Sequence, residues 1–275
     1  MSVSRCLVPM FLAVFPIESQ ALAEPLPLMG VQQIVAHRGS SVDRPECTLP
    51  AVRRAIAARA TAVEVDVRTT QDGHLVILHD ATLDRTTNGK GPLREHTLAE
   101  VRQLDAGSWF DAEYAGERVP TLQETLIACR DKIDVLLDLK EQGRDFAIAV
   151  VAEVKQHGAP ERTIVGVRSV EQARLFRQLL PDARQLGLIP NPKAIEPFAE
   201  AGVETIRLWP RWLDDDNTLV ERVRNTGAAL HLNGTTGKRE EVLSLLEHSP
   251  ASLSSDDPGQ LLKTLAKLHL DRDKQ

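Results

Sequence analysis

The sequence predicts an α/β protein built as a closed parallel (β/α)8 barrel, with a small insertion after the second strand. Three observations carry this. Short apolar, strand-like runs alternate with segments of helical period from residue 33 almost to the end, giving about eight β/α units. The chain has 275 residues, which suits a single barrel of about 250. The rhythm breaks once, where about fifty residues follow the second strand and a barrel loop needs only a few. An open, doubly wound sheet with fewer strands is the alternative architecture.

The first strand is expected over 33–36, followed by a helix over 48–60. Thr48 is suited to its N-cap, and Pro50 falls in the first turn, where a missing N–H loses no bond. The second strand spans 62–69. In the excursion that follows, 71–74 reads as a turn and 75–78 as a further strand ending at His79. Beyond it come a loop at 88–92 and a short helix at 97–104, and a longer helix begins near Thr121. The remaining strands fall at 134–140, 163–167, 184–189, 205–208, 229–233 and 252–255. Helices are expected at 144–156, 170–180, 194–201, 215–226, 239–246 and 259–270. The barrel domain therefore covers 31–270, and 80–120 forms a small cap at the carboxyl end of a strand, where substrate-covering elements belong.

Aromatic residues make up 4% of the chain, so the core must rest on Leu, Val, Ile and Ala. The net charge is −6 and no basic run occurs, which argues against a nucleic-acid partner. Residues 1–23 read as a signal peptide: Arg5 supplies the positive start, 6–17 the apolar stretch, and Ala21-Leu22-Ala23 a cleavage site before Glu24. The apolar stretch is too short to span a bilayer comfortably. An exported mature protein, periplasmic or secreted, without stable membrane insertion is the expectation. It would retain Cys47 and Cys129, expected to be unpaired.

Chemistry concentrates at the ends of the early strands. Along 62–68 every second residue is charged and the residues between are Val, so Glu64, Asp66 and Arg68 share one face. A solvated edge strand would also show this pattern. The neighbours favour a site. The first strand runs into His37 and Arg38, the excursion delivers His79, the third strand puts Asp138 and Lys140 on one face, and the fourth runs into Arg168. Glu64, Asp66 and Asp138 make an oxygen site for one divalent ion, Mg²⁺ or Ca²⁺. Arg38 and Lys140 are cations suited to phosphate. Two histidines beside a metal-bound phosphodiester suit paired acid and base work near neutral pH. The reading is phosphodiester hydrolysis.

The ordered motifs His37-Arg38-Gly39, Arg44-Pro45-Glu46-Cys47-Thr48, Glu64-Val65-Asp66-Val67, Asp72-Gly73, His79-Asp80, Leu83-Asp84-Arg85-Thr86-Thr87 with Gly89, Leu104-Asp105-Ala106-Gly107 and Val119-Pro120-Thr121-Leu122 resemble the glycerophosphodiester phosphodiesterase family. The match is dense from His37 to Lys140 and thins to the barrel pattern and Asp256-Asp257-Pro258 afterwards. The resemblance implies a TIM barrel with an insertion after the second strand, matching the excursion. It implies His37 and His79 as the acid–base pair, Glu64, Asp66 and Asp138 as metal ligands, and Lys140 as a phosphate-binding cation. Arg38 and Glu46 would line the same pocket. The small-molecule substrate would be a glycerophosphodiester, cleaved to glycerol 3-phosphate and an alcohol. A phospholipase D-like action on lysophospholipids or sphingolipids is the alternative.

The chain departs from the family pattern in three places. Cys47 stands where the motif usually has Asn, and Asp138 where Glu is commoner. Leu230-His231-Leu232-Asn233 replaces a Trp-Thr-x-Asn pattern, so Trp209 from the sixth strand would supply the aromatic wall. Trp109 and Phe110 in the cap suit either covering a substrate or packing the cap on the barrel.

Overall fold

In the computed structural model, which describes residues 29–274, eight parallel strands close on themselves. They are β1 (Gln33–Ala36), β2 (Ala62–Thr69), β4 (Asp134–Leu139), β5 (Thr163–Val167), β6 (Arg184–Gly187), β7 (Thr205–Leu208), β8 (Ala229–Thr235) and β9 (Ser252–Ser255). The pairing order runs β1, β9, β8, β7, β6, β5, β4, β2, and a β1–β2 pairing completes the ring. The open doubly wound alternative is thereby set aside. The leader expected at 1–23 lies outside the described residues. Among those that are described, no helix is long and apolar enough to cross a membrane.

The alternation read from the sequence is realised around the barrel. Val63, Val65 and Val67 of β2, Leu137 and Leu139 of β4 and Ile206 and Leu208 of β7 join the main core, packed against helices α1 (Leu49–Ala57), α3 (Leu122–Cys129), α4 (Arg144–His157) and α5 (Val170–Leu179) among others. Val35, Ala62, Leu136, Ile164, Leu186 and Leu188 fill the interior as a separate apolar cluster. Two residues on from Val35, Ala62 and Leu136 come His37, Glu64 and Asp138, and Asp66 pairs in register with Asp138. The apolar filling thus ends one layer below the chemistry.

β2 outruns β1, which pairs with it at Ala62 and Val63 alone. The vacated edge takes β3 (Leu75–Ile77), antiparallel against Val67–Thr69. This hairpin roots the insertion, whose own small core is Val76, Leu78, Leu83, Leu93, Val101, Ala106 and Val119. The expected 97–104 helix is a single turn, α2 (Leu98–Val101), held by a capping box between Thr97 and Glu100. Trp109 packs edge-on against Phe110, which in turn meets Tyr114, and Arg44 from the barrel lies over the Tyr114 ring at 5.6 Å. Of these aromatics, Tyr114 makes the contact to the barrel, and Trp109 and Phe110 pack within the cap.

The expected 215–226 helix divides in two, α7 (Pro210–Asp215) and α8 (Leu219–Asn225). Pro210 opens the first at its N-terminal position, and Asp216 ends it by accepting bonds from the Thr218 N–H and hydroxyl. That local turn competes with helical bonding. The remaining helices are α6 (Ile195–Glu200), α9 (Arg239–Glu247) and α10 (Pro258–Arg272).

The loop after β1 turns on Gly39, with φ of +84°, where an added Cβ would stand 2.6 Å from the Ala51 Cβ. Gly39→Ala is therefore expected to destabilise the protein by about 3 kcal/mol through strain and overpacking. Urea denaturation checks this, and a loss below about 1 kcal/mol would count against the tight loop.

Candidate active site

The site forms where the strand ends converge. Past β1, Arg38 adopts the left-handed conformation (φ 55°), which turns its backbone N–H onto Glu64 Oε2 at 2.7 Å. Cys47 is also left-handed (φ 57°), and its thiol donates to Asp66 Oδ2 at 3.3 Å. The left-handed region is one that Asn enters more readily than Cys, which gives a backbone reason for Asn in the family pattern. Cys47 and Cys129 are both buried free thiols.

Glu64, Asp66 and Asp138 are buried, and each offers an oxygen within 4.8 Å of the others'. Lys140 Nζ lies 2.7 Å from both Asp66 Oδ1 and Asp138 Oδ2. Arg168 grips Asp138 through Nη2, 2.7 Å from each oxygen, and through Nε at 3.0 Å. Burial would raise the Asp138 pKa, but Lys140 and Arg168 outweigh it and hold the carboxyl below its ordinary range. Glu64 has no such cation beside it. Burial, then the charge of Asp66, raises it to about 8. The cluster is thus short of positive charge at Glu64, and three buried carboxylate donors are a ligand set that fits a hard divalent cation.

Each histidine is held by a carboxylate. His37 Nδ1 lies 2.7 Å from Asp256 Oδ1, and His79 Nδ1 lies 2.7 Å from Asp80 Oδ1. Burial opposes the charged form of His37, yet Asp256 and Glu64 prevail and raise its pKa. Asp80 also receives Arg85 Nε at 2.7 Å, which holds the carboxyl well below its usual range. Arg85 reaches on to both oxygens of Glu46 at 2.8 Å, and Glu46 bonds Arg38 Nη1 at 3.0 Å. A continuous chain of ion pairs therefore runs from His79 through the cap residue Arg85 to Arg38.

One cavity of about 190 Å³ is lined by His37, Arg38, Glu64, Asp66, His79, Asp138, Lys140 and Trp209, eight of the nine residues given a site role in the sequence, and also by Arg168. Glu46 is the ninth. Expected to line the cavity, it instead stands behind Arg38 and braces it, because two guanidiniums engage its oxygens. Lys140, expected as a phosphate-binding cation, lines the cavity and lies against Asp66 and Asp138.

The sequence reading gave several residues no role in the site. Asp256 pairs with His37 from 219 residues away, which no local pattern reveals. Arg207, His231 and Asn233 also line the cavity. Arg207 had a signal: it is the charged residue between Ile206 and Leu208, the inward position of a short apolar strand.

The glycerophosphoryl diester phosphodiesterase family model matches residues 37–232. The chain belongs to this family. It is 32% identical over 240 residues to a glycerophosphodiester phosphodiesterase of Caldanaerobacter subterraneus, covering 85% of this chain and 98% of that protein. It is also 32% identical over 220 residues to one of Bacillus subtilis, covering 72% and 74%. A solved glycerophosphodiester phosphodiesterase of Agrobacterium tumefaciens superposes with a TM-score of 0.74 at 27% identity, covering 85% of this chain and 100% of that one. A phosphodiesterase of Oleispira antarctica, solved in complex with the product sn-glycerol-3-phosphate, gives 0.78 at 27% identity, covering 86% and 97%. The chain is thus an enzyme of the phosphoric diester hydrolase class on a TIM barrel. The carboxylates of this phosphodiesterase form the group suited to a metal ion.

A divalent ion at one hundred times its Kd is expected to stabilise the chelator-treated phosphodiesterase by about 2.7 kcal/mol. That corresponds to a Tm increase of roughly 5–10 °C. The Glu64→Gln variant, which keeps the side-chain shape, is expected to lose most of the increase. Thermal scans with and without Mg²⁺ or Ca²⁺ check this, and an unmoved Tm would count against the cation site.

Proposed function

We propose that the enzyme hydrolyses glycerophosphodiesters to glycerol 3-phosphate and an alcohol, by histidine acid–base catalysis assisted by one divalent ion, Mg²⁺ or Ca²⁺. The observation that carries this reading is the lining of a single cavity by a buried acidic triad and two carboxylate-held imidazoles. The complex of the Oleispira antarctica enzyme with sn-glycerol-3-phosphate supports the product assignment.

In the proposed reaction an oxygen nucleophile adds to phosphorus and the P–O bond to the alcohol breaks. One imidazole removes the proton of the nucleophile, and the other protonates the departing alkoxide. With Nδ1–H of each ring directed to its carboxylate, Nε2 is the nitrogen left for proton transfer at His37 and at His79. A bound divalent ion, held by Glu64, Asp66 and Asp138, supplies charge neutralisation for the phosphoryl oxygens. Arg38 adds a guanidinium fixed by Glu46, and Lys140 and Arg168 keep Asp138 ionised. The lysophospholipid or sphingolipid alternative lacks a comparable support. The apolar lining of the cavity, including Val35, Leu136 and Leu186, belongs to the barrel interior beneath the charged groups. The leader-like sequence at 1–23 supports action outside the cytoplasm.

Glycerol 3-phosphate released from glycerophosphoethanolamine, and suppressed by chelation, is the expected result of the direct assay. His37→Ala and His79→Ala are each expected to lower kcat by about 10²–10⁴. A loss of less than tenfold at either position would remove that histidine from the acid–base pair. The pH profile separates the two roles. Asp256 stabilises the charged form of His37, so Asp256→Asn lowers the His37 pKa. The limb belonging to His37 then moves to lower pH by about one unit, while the other stays. If neither limb moves, His37 does not titrate in the reaction.

A further inference from the structure

Most cations on the cavity wall have a carboxylate of their own. Arg38 has Glu46, Lys140 has Asp66 and Asp138, and Arg168 has Asp138. Arg207 is different. It is 9% exposed, its Nε is buried without a hydrogen-bond partner, and no ion pair to it occurs among the described residues. Its close contact is with Trp209, whose ring centroid lies 4.3 Å from the guanidinium carbon. Its neighbours on this side of the cavity, Trp209, His231 and Asn233, carry no negative charge. Burial lowers the Arg207 pKa to about 10, with Arg168 and Arg211 pushing the same way and the charges of Asp138 and Glu64 opposing them. A buried cation with no carboxylate in contact costs free energy. A binding wall retains one where the ligand brings the counter-charge.

β7 lies four strands from β2 in either direction around the barrel, so Arg207 faces the cavity from the side opposite Glu64 and Asp66. Beyond the phosphodiester itself, the glycerol portion of such a substrate carries only hydroxyls, so a second anionic group can come only from the alcohol. Trp209 is also unavailable as an open aromatic face for an ammonium group, since Arg207 and Arg211 lie over its ring at 4.3 and 5.4 Å. A cationic alcohol would meet a positive wall.

We infer that Arg207, stacked on Trp209, is a specificity-determining residue that receives an anionic group carried by the alcohol portion of the phosphodiester. The enzyme then favours glycerophosphodiesters with an acidic leaving alcohol, bearing a carboxylate or a phosphate, over those with a purely cationic one. The inference rests on the phosphodiesterase reading above and names its substrate class.

Glycerophosphoserine and glycerophosphoethanolamine form the matched test, because they differ by one carboxylate and share everything else. The wild-type enzyme is expected to give a kcat/KM ratio of at least about 10 in favour of glycerophosphoserine, the range of one charge-assisted hydrogen bond. Arg207→Gln is expected to bring that ratio within about threefold of unity, and Arg207→Lys to retain part of it. Should Arg207→Gln fail to fold by circular dichroism, the wild-type and Arg207→Lys ratios decide. A wild-type ratio at or below one overturns the inference while leaving the phosphodiesterase reading intact. An equal loss on both substrates in Arg207→Gln also overturns it, and assigns Arg207 to the phosphodiester itself. Cleavage of neither substrate overturns both readings. Repeating the comparison with a glycerophosphodiester whose alcohol carries a phosphate monoester separates the two acidic classes.

Discussion

Glu64, Asp66 and Asp138 put three carboxylate oxygens within 4.8 Å of one another toward the carboxyl end of the barrel, and their repulsion organises what surrounds them. Lys140 lies between two of them, Arg168 takes both oxygens of the third, the Arg38 N–H points at the first, and the Cys47 thiol points at the second. Two of those donors exist because the backbone accepts left-handed conformations at Arg38 and Cys47, each costing on the order of 1–2 kcal/mol. Strain of that size persists where the surrounding structure over-determines it, and here the surroundings are carboxylates that need donors. The pairing stops short at Glu64: among the described residues Lys140 and Arg168 engage Asp66 and Asp138, while Glu64 receives the Arg38 backbone N–H.

The cap enters the same electrostatic system from above. Arg85 belongs to the insertion, yet its guanidinium joins Asp80, which holds His79, to Glu46, which holds Arg38. The satellite core of the insertion, seated on the β2–β3 hairpin, positions Arg85 for this contact. An imidazole and a guanidinium from different loops are thereby oriented by one shared set of charges. Movement of the cap relative to the barrel would disturb both.

Most of this was legible in the sequence because its causes are local. Strand alternation put Glu64 and Asp66 on the inward face, and Thr48 caps its helix as its side chain dictates. The order of motifs from His37 to Lys140 carried the family. What the sequence hid depends on contacts between segments far apart in the chain. Asp256 meets His37 from the opposite end of the chain, and Lys140 lies against two carboxylates because Asp66 and Asp138 are in register on neighbouring strands. Glu46 withdraws behind Arg38 because Arg85, from the cap, claims its other oxygen. The division of the expected 215–226 helix has a local cause, the Asp216 side chain bonding Thr218, but helical period alone gives it no weight.

The barrel also divides its labour by side. β1, β2, β4 and the insertion supply the histidines, the carboxylates and their cations, all tied by hydrogen bonds. β7 and β8 supply Arg207 and His231 at paired positions. Burial lowers the His231 pKa to about 4, so its ring is neutral near pH 7, bonded to Ser252 and Asn233. A neutral imidazole beside an unpaired guanidinium contributes shape and a donor or acceptor but no charge, which leaves Arg207 as the electrostatic signature of that wall. The departure from the family pattern at Leu230–Asn233 falls on this same wall, away from the groups proposed to break the phosphodiester bond. On the inference drawn for Arg207, substitutions on this wall are expected to change which alcohol is accepted, while the groups proposed to break the bond sit on the opposite, tightly bonded wall.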